Sequence, residues 1–146
     1  MPRRRVARVL CCLGWLDLCA LGAVLMPAEW LGQIHIQLGL GPFPEAPIAL
    51  YLARGNSALY AVHGAVLLYL SRDVDRYWSL IRFLAWAALV HGGVMLAIDQ
   101  SLQLPVWWRI GEGPIYAATG ALVLALQWRA DRNGAAGNDE PPVSPP

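Results

Sequence analysis

The sequence predicts an all-α protein: a four-transmembrane-helix bundle with a short interfacial helix in the first outer loop. Three observations predict it. Four apolar runs, 6–26, 48–70, 77–98 and 110–128, each come near the roughly 20 residues that cross about 30 Å of hydrocarbon. Hydrophobic residues make up 57% of the chain and charged residues 14%, against about 45–50% and about 25% in soluble domains. Arginine, the only strongly basic residue present, is distributed asymmetrically about the four runs. The net charge of +1 leaves no global field to recruit nucleic acid.

Arg3, Arg4, Arg5 and Arg8 lead into the first run and give it the look of a signal peptide. Its length, Asp17 in its middle and the poor small-x-small pattern near Ala28 predict an uncleaved helix instead. Cys11, Cys12 and Cys19 all lie in this run and are expected to be buried small hydrophobes. In the loop 27–47, Trp30, Leu31, Ile34 and Leu38 fit one face of a helix lying in the interface. The alternation Ile34, Ile36, Leu38, Leu40 fits a strand equally well. A lone strand there would lack a partner, so the helix is expected. The fourth run is the shortest, because Gly111-Glu112-Gly113-Pro114 interrupts it. Pro114 is expected in the first helical turn, with Glu112 beside the positive helix end. The membrane domain is read as 1–132. The Gly-, Pro- and Asn-rich stretch 133–146 is expected to be a disordered cytoplasmic tail.

The arginines set the orientation. Arg72, Arg76 and Arg82 flank the turn between runs two and three, and Arg129 and Arg132 follow run four, while only Arg109 lies on the other side. Both termini are therefore placed in the cytoplasm. Trp30, Tyr51, Trp107 and Trp108 mark the outer interface, and Tyr69, Tyr77, Trp78 and Trp128 the inner one.

Ionisable groups inside hydrocarbon cost roughly 2.5–3.5 kcal/mol each on insertion scales and seldom face lipid. Their helical faces are therefore informative. On run two, Asn56, Tyr60 and His63 share a face beside a small-residue stripe, Ala49, Ala53, Ser57, Ala61 and Gly64. Tyr51, Leu59, Val62, Val66 and Tyr69 form the opposite, lipid-facing side. On run three, Leu84, Ala88, His91, Met95 and Asp99 face inward, and Phe83, Trp86, Val90, Val94 and Ala97 outward. Run four has a polar side, Glu112, Tyr116, Thr119 and Gln127, and a small stripe, Gly113, Ala117, Ala121 and Ala125, for close packing. At 1.5 Å per residue, Arg54 and His91 lie roughly 10 Å below the outer surface, Asp17 roughly 13–16 Å and His63 roughly 20 Å. The candidate site is thus a polar cluster in the outer half: Asp17, Arg54, Asn56, His91, Asp99 and Glu112. Tyr60, His63 and Tyr116 form a second layer. Arg54 is expected to pair with Glu112 first and Asp99 second. His63 and His91 are each expected to bond a carbonyl. Their difference in depth, roughly 10 Å against metal–nitrogen bonds of about 2 Å, speaks against a shared metal or haem.

No phosphate-binding loop, Gly-x-Ser-x-Gly or His-Glu-x-x-His motif is present. The stretches Tyr51-Leu-Ala-Arg-Gly-Asn-Ser-Ala-Leu-Tyr-Ala-Val-His-Gly and Pro105-Val-Trp-Trp-Arg-Ile-Gly-Glu-Gly-Pro resemble small bacterial four-helix membrane proteins, broadly the DoxX-like group. That resemblance implies the layout of residues 6–128. It carries no functional residue or cofactor across, and quinone chemistry is implied by analogy alone. The leading expectation is an accessory or interaction protein of a membrane complex, meeting the lipid bilayer and either another membrane protein or a second copy. The first alternative is a binder or carrier of a small lipophilic or anionic molecule at the polar cluster. The second is an intramembrane enzyme using a Glu/His pair.

Overall fold

The computed structural model describes residues 2–102 and 104–138, which contain helices and no strand. The helices are α1 Pro2–Leu18, α2 Leu21–Leu25, α3 Ala28–Gln37, α4 Pro47–Arg72, α5 Trp78–Ser101 and α6 Val106–Asn138. Two stretches, Arg3–Leu25 and Trp78–Ser101, are long and apolar enough to cross a membrane. The α4 and α6 helices are of similar length or longer. Arg54, Asn56 and His63 lower the apolarity of α4, and Glu112 and Gln127 that of α6.

The first apolar run is not one helix. It breaks just after Asp17, at Cys19 and Ala20, where the Cys19 amide bonds both the Trp15 and Leu16 carbonyls and the Ala20 amide bonds the Asp17 carbonyl. These shorter-range bonds tighten the chain before α2 resumes. The short helix expected in 27–47 forms as α3 and has no buried residue. Trp30 and Ile36 are 60% and 59% exposed.

Three expectations about α6 need correction. The helix starts at Val106, the Trp108 and Arg109 amides bonding the Pro105 carbonyl, so Pro114 and Glu112 lie inside it and not at its start. Pro114 removes one backbone donor there. Gly113 before it has no Cβ, which relieves the clash a proline imposes on its predecessor. At the other end the helix continues to Asn138, past the expected end of the fourth run at 128, and 139–146 of the expected tail lie outside the described residues. Of the small stripe, Ala121 and Ala125 are exposed, while Gly113, Gly120 and Val123 are buried. A strict four-residue step advances roughly 400°, so each step drifts about 40° off the contact line. The contact line follows Gly113, Ala117 and Gly120 instead.

The helices associate as two pairs. The α1–α2 segment packs along α4, and α5 packs along α6, whereas the backbones of α4 and α5 make no comparable approach. Glycine makes both pairings possible. A Cβ on Gly64 would stand 2.6 Å from the Gly14 carbonyl oxygen, and one on Gly92 2.5 Å from the Ala117 nitrogen. Such contact gains dispersion and needs no hydrophobic drive. The expected outward faces are outward: Leu59, Val62, Phe83 and Val90 are each more than 60% exposed.

The two pairs join at the arginine-rich end. Val6, Leu10, Leu67, Leu70, Val74, Ile81, Ala85 and Val123 form a buried apolar cluster there. Polar contacts tie the same end. Arg3 pairs with Asp75 and lies 5.2 Å over the Trp78 ring. Arg82 donates to Asp131 at 2.6 Å, Trp78 Nε1 donates to Asp131 at 3.1 Å, and Gln127 donates to the Trp78 carbonyl at 2.9 Å. The start of the chain, the 73–77 turn and the last part of α6 therefore share one end. Away from it the pairs separate.

Candidate functional site

The separation leaves a crevice between the pairs. It consists of two cavities that share Tyr60, His63, Leu84, Ala88 and Tyr116. The first, about 300 Å³, is walled mainly by leucine, isoleucine, alanine and valine. Leu16 and Ile115 on its rim are 68% and 63% exposed, so it opens between α1 and α6. The second, about 360 Å³, lies between Asn56, Leu59 and Tyr60 on α4 and Ala87 and His91 on α5. The crevice thus has apolar walls and a polar waist.

Two hydrogen-bonded groups build that waist. His63 Nδ1 lies 2.8 Å from Asp17 Oδ2, joining α4 to the residue before the break in the first run. Glycine permits this approach, because Gly64, next to His63, sits against the backbone of α1, with the Leu18 amide nitrogen 2.7 Å from where a Cβ would be. The second group spans the crevice. The Tyr60 hydroxyl donates to Glu112 Oε1 at 3.1 Å, and Trp108 Nε1, one turn before Glu112, donates to Oε2 at 2.6 Å. Each carboxylate oxygen of Glu112 thereby accepts one hydrogen bond. Between the two groups, Tyr116 stacks on Tyr60 with centroids 6.2 Å apart, and His91 meets the edge of Tyr116 at 4.9 Å.

The expected cluster is therefore brought together only in part. Asp17, Tyr60, His63, His91, Glu112 and Tyr116 converge on the crevice, and Asn56 lines its second half. Arg54 and Asp99 do not join it. Arg54 pairs with neither Glu112 nor Asp99: its Nη2 donates to the Met26 carbonyl at 3.0 Å, at the end of α2. A carbonyl at a helix end lacks an intrahelical partner and accepts one guanidinium hydrogen, while Arg54 Nε stays buried without a partner. Asp99 is 1% exposed, with Oδ2 unpartnered. His63 bonds a carboxylate, not the carbonyl expected of it. The expected depths of Asp17 and His63 differ by roughly 4–7 Å, about one helical turn, which is the available signal for their pairing. Trp108 had been read as a belt residue only. Its i, i+4 spacing from Glu112 was the signal for its second role.

Because Arg54 and Glu112 have separate partners, Arg54→Ala and Glu112→Ala should destabilise additively, within about 0.5 kcal/mol. Detergent melting of both single variants and the double variant measures this. A double variant markedly more stable than the sum would restore the pairing.

Among the described residues, no group of three or more His, Cys, Asp or Glu side chains could hold a metal ion. Neither the known family models, nor the curated proteins, nor the solved structures offer a match to this chain.

Proposed function

We propose that this chain is a four-helix, multi-pass protein of the bacterial inner membrane whose crevice binds a small lipophilic molecule. The arginine-rich end lies in the cytoplasm and the crevice opens sideways into the bilayer. One observation carries the reading: apolar walls converge on a waist of a few polar groups, Asp17–His63 and Tyr60–Glu112. That is the usual make-up of a small-molecule site, and about 300 Å³ is at the lower end of the usual volume. An accessory protein with a purely structural polar cluster would close and pair its core, and here a crevice remains between the helix pairs while Arg54 Nε and Asp99 Oδ2 are buried without partners. The resemblance to the DoxX-like group is compatible with this reading and does not decide it.

Native mass spectrometry of the protein extracted with its own lipids tests the proposal. A stoichiometric small-molecule adduct is expected. Protein free of any adduct under mild extraction would contradict it. The orientation is tested separately. Reporter fusions after Ser71 and after Arg132 should read cytoplasmic and one near Pro42 external, and a cytoplasmic Pro42 would reverse the bundle.

A second reading follows from the Asp17–His63 contact. A carboxylate within 2.8 Å of an imidazole beside an open cavity is an arrangement capable of acid–base chemistry. The pair that serves it is Asp17–His63, since Glu112 lines neither cavity and its partners are Tyr60 and Trp108, not an imidazole. Turnover of a bound molecule that is lost in Asp17→Asn, with binding retained, would favour this reading over simple carriage.

A further inference from the structure

We propose that the outward face of α1 binds an anionic phospholipid, its phosphate held between Arg4 and Arg8 and its acyl chains lying against Cys12 and Trp15. The proposal rests on α1 crossing the membrane and is independent of what the crevice holds. Arg4, Ala7 and Arg8 line a shallow groove, and the small side chain of Ala7 leaves room beside the two guanidinium groups. Arg4, Arg8, Cys12 and Trp15 are all exposed. At about 100° per residue they share a sector of roughly 80°. The opposite side of α1 is used inside the protein: Val6 and Leu10 join the buried cluster, and Gly14 sits against Gly64 and Leu68. The free face therefore runs from charge to apolar surface along one line of the helix, as a phospholipid does.

The charges at this end leave the two arginines without a protein anion. Three carboxylates lie there among the described residues, and each is engaged elsewhere. Asp75 pairs with Arg3, Asp131 accepts from Arg82 and Trp78, and Asp73 accepts from the Arg76 amide. Arg76 and Arg132 lie over the Tyr77 and Trp128 rings. Neither Arg4 nor Arg8 pairs with a carboxylate among the described residues, and the first turn of α1 has no acidic residue. Like charges one turn apart repel. A phosphate that accepts charge-assisted hydrogen bonds from both guanidinium groups removes that repulsion. Arginine keeps its charge throughout the working pH range, so the site depends on no titration. A soluble anion would satisfy the arginines alone. The exposed apolar surface that continues from them to Trp15, 60% exposed, favours an anion joined to hydrocarbon.

Native mass spectrometry of the full-length protein in a neutral detergent, titrated with dioleoyl phosphatidylglycerol or dioleoyl phosphatidylcholine, tests the proposal. The wild type should bind the anionic lipid at least about fivefold more tightly than the zwitterionic one. Arg4→Ala with Arg8→Ala should weaken the anionic lipid by about fivefold per arginine. Arg129→Ala with Arg132→Ala removes the same charge at the same end of the bundle and should change that affinity by less than about twofold, because long-range attraction is screened by salt. Melting shows each variant to be folded. Excess glycerol phosphate in solution should leave the lipid bound. Equal affinities for the two lipids in the wild type would overturn the anionic assignment. Equal losses in the two double variants would overturn the Arg4–Arg8 site and leave a general basic surface. Displacement by glycerol phosphate would overturn the acyl face at Cys12 and Trp15. The membrane reading is read separately: protein that leaves the membrane fraction in alkaline carbonate would overturn that reading, and the lipid site with it.

Discussion

Replacing Gly92 by alanine is expected to destabilise the bundle by about 3 kcal/mol, while the same change at the adjacent Gly93 is expected to be neutral or mildly stabilising. The two positions differ only in what they face. A Cβ at residue 92 would stand 2.5 Å from the Ala117 nitrogen and 2.6 Å from the Gly113 carbonyl oxygen, and both are backbone atoms that cannot rotate away. The α5–α6 pair must then separate along its length. Overpacking a tight contact typically costs about 1–3 kcal/mol, and the upper end applies where the obstacle is backbone. At residue 93 a Cβ meets nothing within 4 Å. Alanine there removes the conformational freedom of an unfolded glycine and gains about 0.5–1 kcal/mol in a helix. Circular dichroism melting in one detergent compares the two variants. Equal melting temperatures would mean that α5 and α6 do not pack through Gly92.

The second large effect is expected at Asp17 and His63. Removing one partner leaves the other facing apolar walls without its hydrogen bond. Buried pairs broken in this way lose about 3–5 kcal/mol. His63 is 42% exposed and Asp17 19%, so the expected loss for Asp17→Ala or His63→Ala is smaller, about 2 kcal/mol after discounting for the open crevice. The double variant should cost less than the sum of the singles by at least about 1 kcal/mol, the signature of direct coupling. Unfolding free energies from a denaturant titration in mixed micelles give all three values. Strict additivity would place the two side chains apart.

The faces of the helices were legible in the sequence, because polar side chains recurring at the helical period mark the inner side of each helix. Tyr51, Leu59, Val62, Val66 and Tyr69 all lie outward on α4, and Asn56, Tyr60 and His63 turn toward the crevice, as the 3.6-residue period requires. The short helix α3 was legible because the alternative, a lone strand, would have had no partner. Partner choice was not. Arg54 has two carboxylates at a plausible depth, and depth alone says nothing about the rotation of helices around one another. Here the end of α2 comes closer than either carboxylate. The break after Asp17 was illegible because Leu18-Cys19-Ala20-Leu21 contains no glycine or proline to announce it. Pro114 misled in the opposite sense. A proline flanked by glycines reads as a helix start, yet Gly113 lets it sit within α6. The crevice itself follows from pairing. Gly14 with Gly64, and Gly92 with Gly113 and Ala117, bind each pair more closely than the pairs bind one another. Stripes on separate helices do not reveal which helix each stripe meets.

The crevice as a binding site is tested most directly by filling its waist. Ala88 lies on α5, lines both cavities and is only partly buried. Ala88→Phe would place a ring between Tyr60, His63 and Tyr116 without touching the glycine contacts of α5 with α6. Native mass spectrometry of wild-type protein and this variant, each extracted with its own lipids and shown by melting to be folded, is the decisive comparison. A small-molecule adduct on the wild type that is absent from Ala88→Phe is the predicted result. The same adduct on both, or none on either, would contradict the assignment of this crevice as the site.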